Sequence, residues 1–251
     1  MSTSWILYLL LSMLTGNPLV ALVALLVIGW IADRFTFGFL PSPARILGRW
    51  GRVQRLRQTL LVNPHDRRAR LELAELVVAS SPREAAQVLR SNLEAGDQDV
   101  HTAFIYGKAL ARSGRHEEAE RSLSFAREIE PNFRMGEIDL ELGRLRMARG
   151  DWKGAREPLE LFIGARPGTV EGRYLLARVL SKLGDGAAAE RIQDDAWREY
   201  RSLPRFRRSD ERRFAWRLRP VRAAVLFAAI IAMAAVVMAS VARLSSAGTW
   251  H

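Results

Sequence analysis

Cysteine is absent from the 251-residue chain, which excludes disulfides and thiolate metal sites. Histidine is scarce: His65, His101, His116 and His251 lie far apart, without the spacing of a metal site. Lysine occurs only at Lys108, Lys153 and Lys182, so almost all of the positive charge is arginine. No Gly-x-Ser-x-Gly, P-loop, His-Glu-x-x-His or dinucleotide fingerprint occurs. His116-Glu117-Glu118 has the composition of an acid–base pair but falls in a polar turn that implies no pocket. The sequence therefore points to no cofactor, no metal and no catalytic activity.

Charge of one sign is in excess, with a formal net charge of +11, and its location decides what it means. Residues 33–70 hold nine arginines against Asp33 and Asp66, and residues 201–222 hold nine against Asp210 and Glu211. The 130 residues between, 71–200, carry 19 basic and 23 acidic side chains and are mildly acidic. The positive charge thus sits in two stretches that border apolar segments, the pattern of a membrane-topology signal. Interleaved aromatics or a recognition motif for nucleic acid are missing, so no nucleic-acid partner is expected.

Residues 223–242 read AAVLFAAIIAMAAVVMASVA, without a charge. As a helix they would extend about 30 Å, the thickness of a bilayer core. Residues 5–31 are also apolar but broken by Thr15-Gly16-Asn17-Pro18, where asparagine suits an N-cap and proline a first turn. Segment 1–40 is expected to lie in the membrane with a kink at 16–18, either crossing once or turning back as a re-entrant hairpin. The uncharged start Met1–Ser4 and the poor cleavage site after Ile31 argue against a removable leader. Both arginine-rich flanks lie on the inner sides of the apolar segments, so everything between them is expected on the cytoplasmic side. The flanks 41–62 and 205–222 read as basic linkers with an affinity for anionic lipid, and 243–251 as a short tail.

The middle of the chain repeats with a period of 34 residues. Residues 100–133 read VHTAFIYGKALARSGRHEEAERSLSFAREIEPNF, followed by RMGEIDLELGRLRMARGDWKGAREPLELFIGARPGT and VEGRYLLARVLSKLGDGAAAE. Tyr106-Gly107, Leu142-Gly143 and Leu176-Ala177 recur at one position, with Ala119, Ala155 and Ala189 later in each unit. Small residues such as Gly107 and Ala119 are expected to face each other across a helix pair, with large ones filling the gaps. Gly114, Gly150 and Gly184 fall in the turn between helices, while Pro131 and Pro167 close the second helix. A weaker unit precedes, with Leu73-Ala74 as its pair and Pro82 opening its second helix. Residues 63–204 thereby resemble the tetratricopeptide repeat (TPR) superfamily, with units near 66–99, 100–133, 134–169 and 170–204. The whole layout resembles bacterial TPR membrane proteins with apolar N- and C-terminal segments. The fold class implied is all-α: a TPR-type solenoid of helix-turn-helix units flanked by two transmembrane helices.

Such arrays bind along the concave face formed by their first helices. The residue after the Leu-Gly pair is Lys108, Arg144 and Arg178 in successive units, and one turn on come Arg112 and Lys182. Tyr174, Phe104 and His101 share those helical faces. A basic groove with aromatics suits an acidic segment or a C-terminal carboxylate of a protein partner. The chain is therefore expected to be a scaffold recruiting a partner to the cytoplasmic face of a bacterial inner membrane. The alternative is a structural or assembly subunit whose apolar helices make the main contact.

Overall fold

The computed structural model describes residues 43–96 and 98–218. Segments 1–40 and 223–242, on which the expectation of membrane crossing rests, lie outside the described residues, as do the kink at 16–18 and the tail 243–251. Among the described residues, no helix is long and apolar enough to cross a membrane.

The described chain is built from ten helices: α1 (Pro43–Val62), α2 (Arg67–Val77), α3 (Pro82–Glu94), α4 (Val100–Arg112), α5 (His116–Ile129), α6 (Glu137–Ala148), α7 (Trp152–Ala165), α8 (Val170–Lys182), α9 (Gly186–Ser202) and α10 (Arg205–Leu218). Helices α2/α3, α4/α5, α6/α7 and α8/α9 form four antiparallel pairs, each packed on the next. The stretches that read as linkers are different: 43–62 is a helix packed on α2, and 205–218 is a helix packed on α8 and α9.

Local chemistry sets where the helices begin and end. Asp66, Asp99, Asp151, Thr169 and Asp185 each accept a hydrogen bond from the backbone N–H three residues on, satisfying a donor the helix itself cannot. Pro82 occupies the first turn of α3, where its missing N–H is harmless. Within three of the pairs the first helix ends in a left-handed glycine, Gly114, Gly150 or Gly184, at φ of 86°, 78° and 88°. The third unit is longer than the 34-residue period, and the excess is taken up before α6. There Arg134, Met135 and Gly136 are all left-handed, with φ of 47°, 61° and 79°. For Arg134 and Met135 this costs on the order of 1 kcal/mol each, and it aims the Arg134 side chain at helices two units back.

The core follows the repeat. Gly107 lets α5 approach so closely that a Cβ there would sit 2.8 Å from Leu123 Cγ. Gly143 does the same in the next pair, 2.6 Å from Leu159 Cγ. The partner of Gly107 is thus Leu123, one turn beyond the Ala119 expected from sequence; Ala119 itself is fully buried. Leu89, Phe104, Leu123, Leu142 and Leu159 have no exposure, and burial of each contributes roughly 1.5–3 kcal/mol. The apolar clusters run in sequence along the stack, the last joining Val170 and Ala196 to Phe214, Ala215 and Leu218 of α10.

Successive first helices touch one another, α2 with α4, α4 with α6 and α6 with α8, and no comparable contact joins the second helices. That asymmetry curves the stack toward the first helices, so their free sides form the inner face.

Candidate functional site: an arginine pocket on the inner face

The inner face divides into three stretches along the stack. At its N-terminal end, Glu75 of α2 meets His101 of α4 at 3.5 Å and Arg134 at 3.0 Å. Arg134 also lies 2.8 Å from His101 Nε2 and over the ring of Phe133. Burial pushes the Glu75 carboxyl up, but the Arg134 hydrogen bond and the charges of His101 and Arg134 outweigh it and hold it below its usual range. This stretch is internally satisfied, and His101 is part of that network.

The middle stretch is also neutralised. Lys108 Nζ lies 3.0 Å from Glu141 and 3.6 Å from Glu137 on the neighbouring first helix, with its ammonium 5.3 Å from the centre of the Phe104 ring. Phe104 is fully buried, so it floors the groove instead of lining it. Arg144 binds Glu141 at 2.7 Å and reaches across to Glu171 on α8. Burial alone would lower the Arg144 guanidinium, yet the two carboxylates more than compensate and hold it above its ordinary value. Lys108 and Arg144 are therefore structural cations whose charge is spent within the fold.

The C-terminal stretch is different. A cavity of about 450 Å³ opens between α4, α6, α8 and α10, lined by Arg112, Arg144, Arg178, Arg213 and Arg217 together with Glu141, Glu171, Tyr174 and Phe214. Arg178 lies over the Tyr174 ring at 5.9 Å and Arg213 over the Phe214 ring at 4.7 Å, while the two rings are 6.0 Å apart. The aromatics hold the guanidiniums by cation–π contact, which supplies no counter-charge. Among the described residues, none of Arg112, Arg178, Arg213 and Arg217 forms an ion pair with a carboxylate, and all four are exposed. Lys182, one turn beyond Arg178, is exposed but points outside this cavity.

Helix α10 completes the pocket, and its position is held from beneath. Glu211 accepts a hydrogen bond at 3.1 Å from the backbone N–H of Glu171 in the first turn of α8. Burial pushes the Glu211 carboxyl above its usual value, with that hydrogen bond and nearby arginines opposing. On the same face of α10, at i+3, i+4 and i+7 from Glu211, Phe214, Ala215 and Leu218 close the core. Arg213 and Arg217, missed by the sequence reading, follow from this: they are the i, i+4 pair beside the buried stripe of a helix that looked like a linker. Of the eight groove residues expected, Arg112, Arg144, Arg178 and Tyr174 converge here, while Lys108, Phe104, His101 and Lys182 do not.

Solved structures similar to the described fold include TPR proteins. MamA is similar with a TM-score of 0.55 and 18% identity, over 62% of this chain and 91% of that one. YrrB, described as a TPR protein with an unusual peptide-binding site, is similar with a TM-score of 0.52 and 17% identity, over 63% and 84%. TTC0263, a thermophilic TPR protein in Thermus thermophilus, gives 0.50 and 19%, over 73% and 94%. No protein-family model matches the chain, and no curated protein matches it in sequence. The described region is a TPR-type helical solenoid closed at its C-terminal end by α10. Identities this low establish the fold alone.

Proposed function

We propose that the chain is a scaffold that captures an acidic segment of a protein partner in the arginine pocket and holds that partner at the cytoplasmic face of a bacterial inner membrane. The carrying observation is the contrast along the inner face. In its first two stretches Arg134, Lys108 and Arg144 meet carboxylates, whereas around one cavity four guanidiniums remain without them. A guanidinium left unpaired in a concave site offers fork-shaped donors that match a carboxylate, and several in a row match a run of Asp/Glu or a chain terminus. Tyr174 and Phe214 give the pocket an apolar wall for the backbone between such residues. Attachment rests on segments 1–40 and 223–242, whose length and lack of charge suit a bilayer. In this reading the chain is a binding module with no chemistry of its own.

The test uses the full chain in nanodiscs and a fluorescent peptide containing a run of glutamates. Changing Arg178, Arg213 and Arg217 together to Glu should weaken binding at least tenfold, since charge-assisted hydrogen bonds contribute about 1.5–3 kcal/mol each. Lys182→Glu, outside the cavity, should change it less than threefold. Binding should also fall with added salt. A folded triple variant that binds the peptide as the parent does would overturn the assignment.

A further inference from the structure

Helix α1 presents an apolar stripe that no packing in the described fold uses. Half of the large apolar side chains exposed among the described residues belong to it: Leu47, Trp50, Leu61 and Val62, at 68%, 64%, 82% and 88% exposure. At about 100° per residue, Leu47, Trp50 and Leu61 project within about 60° of one another. Val53, Leu56 and Leu60 project to another side and join the core of the first pair. Three arginines fasten that arrangement: Arg49 donates to the carbonyl of Leu76, Arg57 to Glu84 at 2.8 Å, and Arg52 lies 3.9 Å from Glu72. The helix is thus clamped with its apolar stripe outward.

Its place in the stack explains the stripe. Helix α1 packs on α2 ahead of the first pair. The side it leaves uncovered carries Leu47, Trp50 and Leu61. The end of a solenoid that faces water needs a polar outer surface, and this one is apolar. The stripe is also not suited to another helix: Gln54 falls at its centre and Gln58 at its edge. Covering them with an apolar helix would strip water from two amides without supplying partners. A lipid headgroup region suits the same set. It takes a tryptophan ring and leucine side chains to the depth of the acyl boundary, leaves amides hydrated and attracts arginine when the lipid is anionic. Within α1 there is no acidic residue, and beyond the three arginines that fasten it to the fold Arg55 is exposed.

We infer that α1 lies along an anionic membrane surface with Leu47, Trp50 and Leu61 inserted at the headgroup boundary. The helix would thereby fix the first pair of the solenoid against the bilayer. This rests on the membrane attachment proposed above: Pro43 follows Arg34 by nine residues, a reach of at most about 30 Å even when extended.

The absence of cysteine makes the test direct. Leu47→Cys, Trp50→Cys and Leu61→Cys, made singly in the full chain, each carry a nitroxide label, with Glu117→Cys on exposed α5 as the control. The protein is reconstituted in vesicles of phosphatidylcholine and phosphatidylglycerol, and collisions with oxygen, which partitions into lipid, are compared with those of a water-soluble nickel chelate. The three stripe labels should favour oxygen and the control should favour nickel. Stripe labels that favour nickel would place the face in water. Labels shielded from both would show protein over it, from residues 1–42 or a second copy, and either result overturns the inference. Flotation of the same samples separates the two levels. Protein that floats with its stripe labels in water keeps the attachment and loses the docking of α1, whereas protein that fails to float loses both.

Discussion

At the scale of single residues, the fold depends on glycines that differ in what surrounds them. Gly107 and Gly143 sit where the two helices of a pair touch, and an added Cβ would fall 2.8 and 2.6 Å from the leucines opposite. Leu123 and Leu159 are themselves fully buried, so neither can swing away without displacing a neighbour. Gly107→Ala and Gly143→Ala should each destabilise by about 1–3 kcal/mol through overpacking. Gly164 in the last turn of α7 is the contrasting case, exposed and with nothing within 4 Å of an added Cβ. There Gly164→Ala should be neutral or stabilise by up to about 1 kcal/mol, because alanine loses less backbone entropy in a helix. Thermal melts of the three variants in one detergent would decide it. A Gly143→Ala protein that melts with the parent would show that α6 and α7 are not in the contact described.

At the scale of elements, the 34-residue period made the four helix pairs legible, because small residues, turn glycines and closing prolines recur where the packing needs them. It did not show α1 and α10. Their apolar positions, Val53, Leu56 and Leu60 in one and Phe214, Ala215 and Leu218 in the other, are few and set among arginines, so composition read as linker. The groove was half legible for a related reason. Lys108, Arg144 and Arg178 do share one repeat position, but the sequence gives no sign that Glu141 and Glu171 reach the first two from neighbouring helices while the third has none. Helix α10 also carries a pH signature. Burial raises the Glu211 carboxyl above its value in the unfolded chain, so the folded state holds its proton more tightly. Any stability from that group is present below the ordinary glutamate range and is lost as pH rises through the elevated folded value. Glu211→Gln cannot titrate and should gain stability relative to the parent as pH climbs across that window, while keeping an oxygen for the Glu171 N–H. Denaturant melts at pH 4 and pH 7 would measure the difference. A parent-to-variant gap that is independent of pH, or that moves the other way, would mean that Glu211 is not held in the buried contact.

At the scale of the whole molecule, sign of charge divides the work. The paired region between the arginine-rich stretches is mildly acidic, and the two stretches that frame it carry eighteen arginines between them. In the folded protein, arginines of α1 and α10 engage in hydrogen bonds: Arg49 to the Leu76 carbonyl, Arg57 to Glu84, and Arg208 to the Leu203 carbonyl at 2.7 Å. Those bonds exist only after folding, whereas in the proposed membrane attachment topology would be decided during insertion, when every one of these arginines would resist translocation. The orientation expected from sequence therefore does not depend on whether the flanks are helical. Fusions ending at Gly150 or Gly184, turns where nothing crowds the glycine, should place a reporter beyond the complete pairs that precede them. A reporter that works only in the cytoplasm should be active at both sites, and one that works only after export should be silent. Export-dependent activity at Gly150 would place the arginine pocket on the other side of the membrane, and the acidic segment it receives would then have to belong to an exported partner.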